Sequence, residues 1–261
     1  MPPNLRIILV EPAGPLNVGA IARVMKNFGL TRLVLVNPQC DPLGAEATQM
    51  AVHAKDVLTQ ARITQTLPEA LVGCQRAIAT TARPRELGDP LELPETALPW
   101  LVEANNINTA LIFGREDRGL SNDELYQAQR FIKVPTDAGY AALNLAQAVA
   151  ICCYELARVN APSPPLPPAP SSQPPLSLRN APPSAKQSAS LDDLDGYYHH
   201  LESVLLSIGY LYPHTAPSRM RKLRRLLHRA TPSAQEVALL RGILRQIEWA
   251  TRQVNSGSPR D

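Results

Sequence analysis

Several common catalytic signatures are missing from this chain of 261 residues. It contains no HExxH motif, no paired-cysteine zinc spacing and no GxGxxG after a strand-like segment. Gly14 and Gly19 stand at the separation of a Walker A loop, but Ala20-Ile21 replaces the Lys-Ser/Thr pair that phosphate and magnesium require. These absences give no support to standard metal or nucleophile mechanisms, and a nucleotide-dependent hydrolase is the weakest of the functional alternatives.

The chain also has little that suits an oxidising or membrane environment. Its four cysteines follow no regular framework, and adjacent Cys152 and Cys153 fall in a helical pattern typical of packing residues. The long apolar stretch 141–157 is interrupted by three polar residues and is unsuited to span a bilayer. No signal-peptide pattern opens the chain. We therefore expect a reduced, cytoplasmic protein with no membrane partner.

Charge is divided unevenly along the chain. Residues 1–156 carry 13 Lys and Arg against 16 Asp and Glu, whereas residues 157–261 carry 13 against 7. The positive field therefore belongs to the C-terminal part, as expected if that part contacts a polyanion.

Apolar, mostly β-branched segments alternate with helical patterns in the first part of the chain. The predicted strands are Leu5–Val10, Arg32–Asn37, Arg76–Thr81, Thr109–Phe113 and Phe131–Val134. The predicted helices cover residues 18–28, 45–57, 95–104, 122–129 and 143–159. This alternation predicts an α/β fold with a largely parallel sheet covered by helices on both faces. In such sheets, ligands bind beyond the carboxyl ends of the strands.

The rest of the chain has a different composition. Residues 160–190 hold 10 of the 26 prolines and no acidic residue, which predicts an extended linker. Helical patterns then cover 191–208, with Ser190 as its cap, 218–229, and 232–250, with Pro232 in its first turn. We expect three units: a domain over 1–159, the linker, and a small, basic, tethered helical extension over 191–261.

The first informative motif runs from Asn17 to Arg23, where a strand gives way to an amphipathic helix. Asn17 suits an N-cap, and Gly29 suits the C-terminal end of the helix. Arg23 and Lys26 fall on its polar face. Asn17 is either a simple cap or a functional residue, and Arg23 is either a solvated cation or a functional one.

Two further motifs follow predicted strands. The loop over 113–120 places four consecutive charges between Gly114 and Gly119, ahead of a helix that Ser121 and Glu124 start as a capping box. The segment 140–146 opens the last helix of the domain, where free amides suit an anion. Taken singly, these motifs also fit a solvated loop and an ordinary helix start.

The order and spacing of the three motifs together resemble the SPOUT class of S-adenosylmethionine-dependent RNA 2′-O-ribose methyltransferases. The segments 6–12, 35–38 and 80–83 are similar to the bacterial TrmJ type, and 201–209, 222–226 and 240–244 are similar to its C-terminal extension. The resemblance covers residues 4–158 and 191–250. It implies a C-terminal trefoil knot, a homodimer and methylation of nucleotide 32, cytidine or uridine, in the tRNA anticodon loop.

The resemblance also implies residue roles. Arg23 would act at the ribose 2′-oxygen, with Asn17 and Glu116 orienting Arg23 and the ribose. Because guanidinium groups keep their proton in proteins, we expect Arg23 to stabilise the developing alkoxide or hold the adjacent phosphate. S-adenosylmethionine would be held without a metal by Thr80, Thr81, Ala82, Gly114, Val134, Ala142, Leu143 and Asn144.

For tRNA, the expected contacts are basic. They are Arg83 and Arg85 after the third predicted strand, and Arg219, Arg221, Lys222, Arg224 and Arg225 in the extension. Ala141-Ala142 stand where the family commonly has a serine, so a hydroxyl contact is lost. Two alternatives stay open: an enzyme acting on ribosomal RNA or another tRNA position, and a non-catalytic RNA-binding relative.

Overall fold

Six strands form one parallel sheet in the computed structural model, which describes residues 4–81, 91–103, 107–137, 139–140, 142–160 and 188–256. Their order across the sheet is β3-β2-β1-β5-β4-β6, and every pairing is parallel. The strands are β1 (Leu5–Val10), β2 (Arg32–Val36), β3 (Arg62–Thr64), β4 (Cys74–Thr80), β5 (Asn108–Phe113) and β6 (Arg130–Ile132). The predicted parallel α/β fold is confirmed, with β3 as an additional edge strand.

Within the described part of the domain, eight helices accompany these strands. They are α1 (Pro15–Asn27), α2 (Ala45–Ala51), α3 (Lys55–Thr59), α4 (Leu67–Leu71), α5 (Pro94–Ala97), α6 (Pro99–Val102), α7 (Asn122–Leu125) and α8 (Leu145–Asn160). The prediction of one helix over 45–57 is wrong, because Val52 adopts a positive φ of 52° between α2 and α3. The prediction of one helix over 95–104 is also wrong, since Pro99 starts a second short helix.

Alternate residues of the strands enter two apolar layers. Ile7 and Leu9 of β1 pack with α1, α2, α3 and α8. Cys152 and Cys153 of α8 are fully buried in this layer, as expected for packing residues. Ile8 and Val10 face the opposite layer with α4 and α7. Helices therefore cover both faces of the sheet.

The C-terminal extension forms α9 (Leu191–Ser207), α10 (Ala216–Ala230) and α11 (Ala234–Ser256). Ser190 caps α9 as predicted, with its Oγ accepting from the Asp193 amide at 3.2 Å. The prediction that Pro232 lies in the first turn of α11 is wrong: the helix begins at Ala234, and Ser233 with Glu236 supplies its cap.

These three helices complete the second layer of the domain. Leu191, Leu194, Tyr198 and Val204 share an apolar cluster with the sheet and with α4. In addition, the Gly73 amide donates to Asp192 Oδ1 at 2.8 Å. The extension is therefore packed against its own domain in this structure, which the expectation of a tethered module did not include.

Within the described ranges, no helix is both long enough and apolar enough to cross a membrane. The trefoil knot implied by the resemblance stays a prediction; α8, which would close it, packs on α1.

Candidate active site

The three sequence motifs meet in one chain of hydrogen bonds. Asn17 donates through Nδ2 to Glu116 Oε1 at 2.9 Å, and its Oδ1 accepts from Asn144 Nδ2 at 2.9 Å. The two contacts join residues 99 and 127 positions apart in the sequence. Asn144 Oδ1 in turn accepts from the Ala146 amide at 2.9 Å, which fixes the start of α8. A polar cluster formed in this way from three distant loops defines the candidate site.

Of the two alternatives for Asn17, a helix cap or a functional residue, the cap is wrong. The cap position is Gly14, and Pro15 starts the helix because its fixed φ suits the first helical residue. The amides of Ala13 and Gly14 instead donate to the two Glu116 oxygens at 3.0 and 3.1 Å. A carboxylate from another loop thus caps the helix, and the Asn17 amide is free to join Glu116 to Asn144.

Glu116 is held in its charged form. Partial burial of its carboxyl would raise the pKa, but hydrogen bonds from the Ala13 amide, the Asn17 side chain and the Gly14 amide outweigh burial and lower the pKa below the usual range. A carboxyl whose pKa is lowered by folding stabilises the protein at pH values above its unfolded pKa, and this contribution is lost as the pH falls through the folded pKa.

We therefore expect Glu116→Gln to lower stability at pH 7 by about 1 kcal/mol or less, since hydrogen bonds to a charged acceptor are lost but solvent screens this exposed side chain. The difference in Tm between wild type and variant should shrink as the pH falls through the lowered pKa of Glu116, where the wild-type carboxyl also becomes protonated. Thermal unfolding of both proteins from pH 3 to 8 measures this difference in Tm. Asp117→Asn is the matched control, because the Asp117 side chain is 64% exposed. A gap in Tm that stays constant across this range would contradict the assignment.

The loop after β5 is closed too tightly for a side chain at its first glycine. A Cβ on Gly114 would lie 2.2 Å from the carbonyl carbon of Gly119 and 2.3 Å from the Leu120 nitrogen. The Gly119 amide also donates to the Arg115 oxygen at 2.8 Å. Gly119 itself turns the chain with a φ of +68°. Both glycines of the motif are therefore required by backbone geometry, each for a different reason.

Sequence reasoning missed an ion-pair cluster that supports this loop. Arg118 donates to both oxygens of Glu124 at 2.9 Å and to Glu11 Oε2 at 2.8 Å. These hydrogen bonds raise the pKa of Arg118, and they lower the pKa of Glu124 in spite of its burial. Glu11 follows β1 in a positive-φ conformation, at 50°. The four consecutive charges of the loop were a visible signal, but the partners of Arg118 could not be read from the sequence.

A cleft of about 860 Å³, partly open to solvent, lies at the carboxyl ends of β4, β5 and β6. The predicted cofactor residues on its wall are Thr80, Thr81, Gly114, Val134, Ala142 and Leu143. Asn144 lies in the hydrogen-bond chain instead, and Ala82 and Ala141 are outside the described residues. Phe113, Leu120, Ile132, Leu145 and Ala148 also line the cleft and were not predicted. Its lining of apolar side chains and polar groups suits a small organic ligand.

Arg23 does not join this cluster within the chain. Its side chain is exposed and, among the residues that the structure describes, makes no hydrogen bond or ion pair. Six residues of helix separate Asn17 from Arg23, a rotation of about 240° around the axis, so the two side chains leave α1 in different directions. Arg23 instead shares a face with Leu16, one heptad earlier, which is half exposed.

Gly19 of the first motif contributes to packing. A Cβ at this position would lie 2.2 Å from the Ala47 oxygen, so glycine is needed for α1 to approach α2. The glycine in this motif is thus explained by contact between helices.

The basic residues of α10 divide between two surroundings. Arg219 and Lys222 are exposed, and Arg221 lies over the Tyr126 ring at 5.6 Å. Arg224 was expected to contact tRNA, but only 17% of its side chain is exposed. It pairs with Asp195 at 3.1 Å and lies over the Tyr198 ring at 4.6 Å. Arg225 lines a small pocket beside Tyr126. The predicted Arg83 and Arg85 are outside the described residues.

Comparison with known proteins decides the family. The model of the SpoU rRNA Methylase family matches residues 4–154. A curated relative, tRNA (cytidine/uridine-2′-O-)-methyltransferase TrmJ of Klebsiella pneumoniae, is 40% identical over 246 residues, covering 94% of this chain and 96% of its own length. The chain belongs to the SpoU methylase family, in its TrmJ group. The model of the TrmJ C-terminal domain also matches residues 192–257.

Other TrmJ relatives agree in length and structure. TrmJ of Cronobacter sakazakii is 41% identical over 252 residues, covering 94% of this chain and 96% of its own. A crystal structure of TrmJ from Z. mobilis ZM4 superposes with a TM-score of 0.79 at 32% identity, covering 95% of this chain and 99% of that one. The similarity to the TrmJ group therefore extends over the extension as well as the SpoU domain.

Proposed function

We propose that this protein transfers a methyl group from S-adenosylmethionine to the ribose 2′-oxygen of nucleotide 32, cytidine or uridine, in tRNA. The observation that carries the proposal is the Glu116–Asn17–Asn144 chain beside a cleft at the carboxyl ends of β4, β5 and β6. The relatives in the TrmJ group are named as tRNA (cytidine/uridine-2′-O-)-methyltransferases. Membership of this group supports the same reaction here.

The cleft fits the proposed cofactor. Its apolar wall, which includes Ile132, Val134 and Leu143, suits a purine ring, and the closed loop at Gly114 presents backbone groups that suit a polar ligand. S-adenosylmethionine supplies a methyl group on a positively charged sulfur, ready for transfer to a nucleophile. Thr80 and Thr81, at the end of β4, are proposed to hold the cofactor mainly through backbone groups, since the Thr80 hydroxyl donates to the Ile112 oxygen at 3.1 Å.

Arg23 is the proposed catalytic residue. Methyl transfer to a 2′-hydroxyl forms a carbon–oxygen bond, breaks the carbon–sulfur bond and releases the hydroxyl proton, so the oxygen must gain anionic character as it attacks. A guanidinium beside this oxygen stabilises the developing charge, and it can also hold the adjacent phosphate. We assign the proton to RNA or water, because a guanidinium is already protonated.

We propose that Arg23 acts across a homodimer. It lies away from Asn17 on α1, on a face that also exposes Leu16, and the neighbouring α8 exposes Tyr154. Exposed apolar side chains on two packed helices suit burial against a second copy of the same face. In such a dimer Arg23 of one subunit can reach the site of the other, whereas within one chain it has no contact with Asn17 or Glu116.

The proposed division of the chain keeps the methyltransferase domain over 1–159, the Pro-rich linker over 160–190 and the tRNA-binding extension over 191–261, in a cytoplasmic protein. Because the extension covers one face of the sheet, its deletion would expose Ala70, Leu71 and their neighbours. Charge substitution on α10 is therefore a cleaner test of tRNA binding than truncation.

We expect Lys222→Gln to weaken tRNA binding and to reduce the slope of log K against log salt by about 0.7–0.9, the contribution of one phosphate contact. Fluorescence anisotropy with labelled tRNA between 50 and 200 mM salt measures both quantities. Lys55→Gln, at an exposed position on α3, is the matched control with the same change of charge. Equal slopes for Lys222→Gln and wild type would remove Lys222 from the interface.

The proposed reaction is tested with labelled S-adenosylmethionine and, in parallel reactions, unmodified bulk tRNA or ribosomal RNA, followed by mass spectrometry of the nucleosides. Label in 2′-O-methylcytidine or 2′-O-methyluridine from tRNA is the expected result. Label in ribosomal RNA alone would favour the alternative substrate, and tRNA binding without cofactor binding would favour a non-catalytic RNA-binding protein.

A further inference from the structure

The turn between α9 and α10 presents two tyrosines to solvent. Tyr210 is 58% exposed and Tyr212 is 57% exposed, whereas Leu211 between them is 2% exposed. The buried leucine anchors the turn, so the exposure of its neighbours is not the result of a missing core. Large aromatic side chains that stay exposed on a well-anchored turn are typical of binding surfaces.

The turn is held in one conformation by its backbone. Tyr210 and Leu211 both donate their amides to the Leu205 oxygen at 3.0 Å, and Gly209 ends α9 with a φ of +75°. The backbone amides of Thr215 and Ala216 both donate to the backbone carbonyl oxygen of Tyr212 at 2.9 Å. The two rings therefore project from a fixed base, which lowers the entropy lost when a ligand binds.

A second group accompanies each exposed ring. His214 stacks on Tyr212, with ring centroids 6.0 Å apart and an interplanar angle of 22°. Arg219 lies over the Tyr210 ring at 5.7 Å and donates to the backbone carbonyl oxygen of Tyr210 at 3.3 Å. We call Tyr210, Tyr212, His214 and Arg219 the tyrosine platform. It combines flat aromatic surfaces with a planar cation, the pairing on which unpaired nucleotide bases stack.

The surrounding charge favours a polyanion. Arg219 lies in the first turns of α10, and Lys222 is exposed further along the same helix. Between them, Arg221 lies over Tyr126 and 4.0 Å from Asp123, next to α7, which follows the Gly114–Gly119 loop. The platform thus lies at the start of α10, and this helix connects the extension to the active-site side of the domain.

We infer that the tyrosine platform binds unpaired bases of the RNA substrate by stacking, while the cations of α10 hold the phosphate backbone. Stacking on an aromatic ring tolerates every base, so the platform would add affinity for single-stranded loop nucleotides without choosing among sequences. This inference rests on the proposed function, because it takes tRNA as the occupant.

The test uses the full-length protein with Tyr210 and Tyr212 replaced together, once by alanine and once by phenylalanine. The alanine pair is expected to raise the Kd for tRNA by roughly 10- to 100-fold, as loss of a stacked base does, with an unchanged salt slope. The phenylalanine pair keeps both rings and should bind within about threefold of wild type. Unchanged Tm values for both variants show that the exposed turn still folds.

Two results would overturn the inference. Alanine variants that bind tRNA as tightly as wild type would assign the platform to another partner, such as a protein. Phenylalanine variants as weak as the alanine pair would show that the phenol groups act by hydrogen bonding and that the rings do not stack. Wild-type protein in the same assay separates both results from failure of the proposed function. If the proposed function failed, the wild-type protein itself would not bind tRNA or transfer the methyl group.

Discussion

Replacing Arg23 by alanine is expected to lower kcat for methyl transfer by at least about 100-fold, as removal of a charge-stabilising donor does elsewhere. The Kd for S-adenosylmethionine should stay within about twofold, because Arg23 is absent from the cleft wall. Single-turnover transfer and calorimetric cofactor binding measure the two quantities. Lys26→Ala is the matched control on the same helix, since Lys26 pairs with Asp56 at 2.7 Å and has no role in the proposed chemistry.

The assignment of Arg23 to the partner's site has its own test. Co-expression of Arg23→Ala and Gly114→Ala subunits with different affinity tags yields mixed dimers that carry both defects. One site of each mixed dimer would combine an intact cleft with an intact Arg23 from the other subunit, so activity should return to about half that of wild type if the two sites act independently. Mixed dimers as inactive as either parent would place the arginine in its own subunit's site.

The Gly114→Ala variant is expected to raise the Kd for S-adenosylmethionine by more than about 100-fold, because Gly114 lies on the wall of the cleft and cofactor contacts depend on the loop position. Its new methyl group would lie 2.2 Å from the Gly119 carbonyl carbon, a backbone atom, so the whole loop must move. The loop also carries Glu116 and Arg118, and both of their hydrogen-bond sets would be disturbed. Isothermal titration with the cofactor measures the loss.

The matched control is Gly119→Ala in the same loop. A Cβ there meets nothing within 4 Å, so only the positive φ of 68° opposes the change. Strain of this kind costs about 1–2 kcal/mol, which should lower Tm by several degrees and leave cofactor affinity nearly unchanged. If both variants bound the cofactor equally well, the close approach at Gly114 would have no part in forming the site.

Most of the sheet could be predicted because its longer strands are mostly apolar and alternate with helices. The short elements could not. β3 has two exposed residues out of three, and α4 has only five residues, so neither produces a periodic pattern. The break at Val52 was hidden as well, because a positive φ at a β-branched residue is imposed by tertiary contacts.

The candidate site could be located from the sequence, but the hydrogen-bond and ion-pair partners of its residues could not be predicted. Asn17 has the chemistry of an N-cap, and only the fold shows that Glu116 takes this role for Gly14 from 102 residues away. Arg224 looks like its basic neighbours on α10, yet Asp195 and Tyr198 on α9 turn it inward. In each case the deciding partner is distant in sequence, where spacing carries no signal.

The extension shows the same limit at a larger scale. The amphipathic pattern of its helices predicts an apolar face, but a stripe of leucines does not indicate which surface that face will cover. The structure shows that the face completes the second layer of the sheet and places α10 beside α7. Charge asymmetry had already indicated a polyanion, and this packing gives the basic helix a defined position relative to the active-site loop.

The most direct test of the proposed reaction uses two tRNA transcripts that differ in one atom, one with a normal ribose at nucleotide 32 and one with a 2′-deoxyribose there. The wild-type protein should transfer one labelled methyl group to the first transcript and none to the second, while binding both with similar affinity. Equal labelling of the two transcripts would contradict the assignment of the 2′-oxygen of nucleotide 32 as the methyl acceptor.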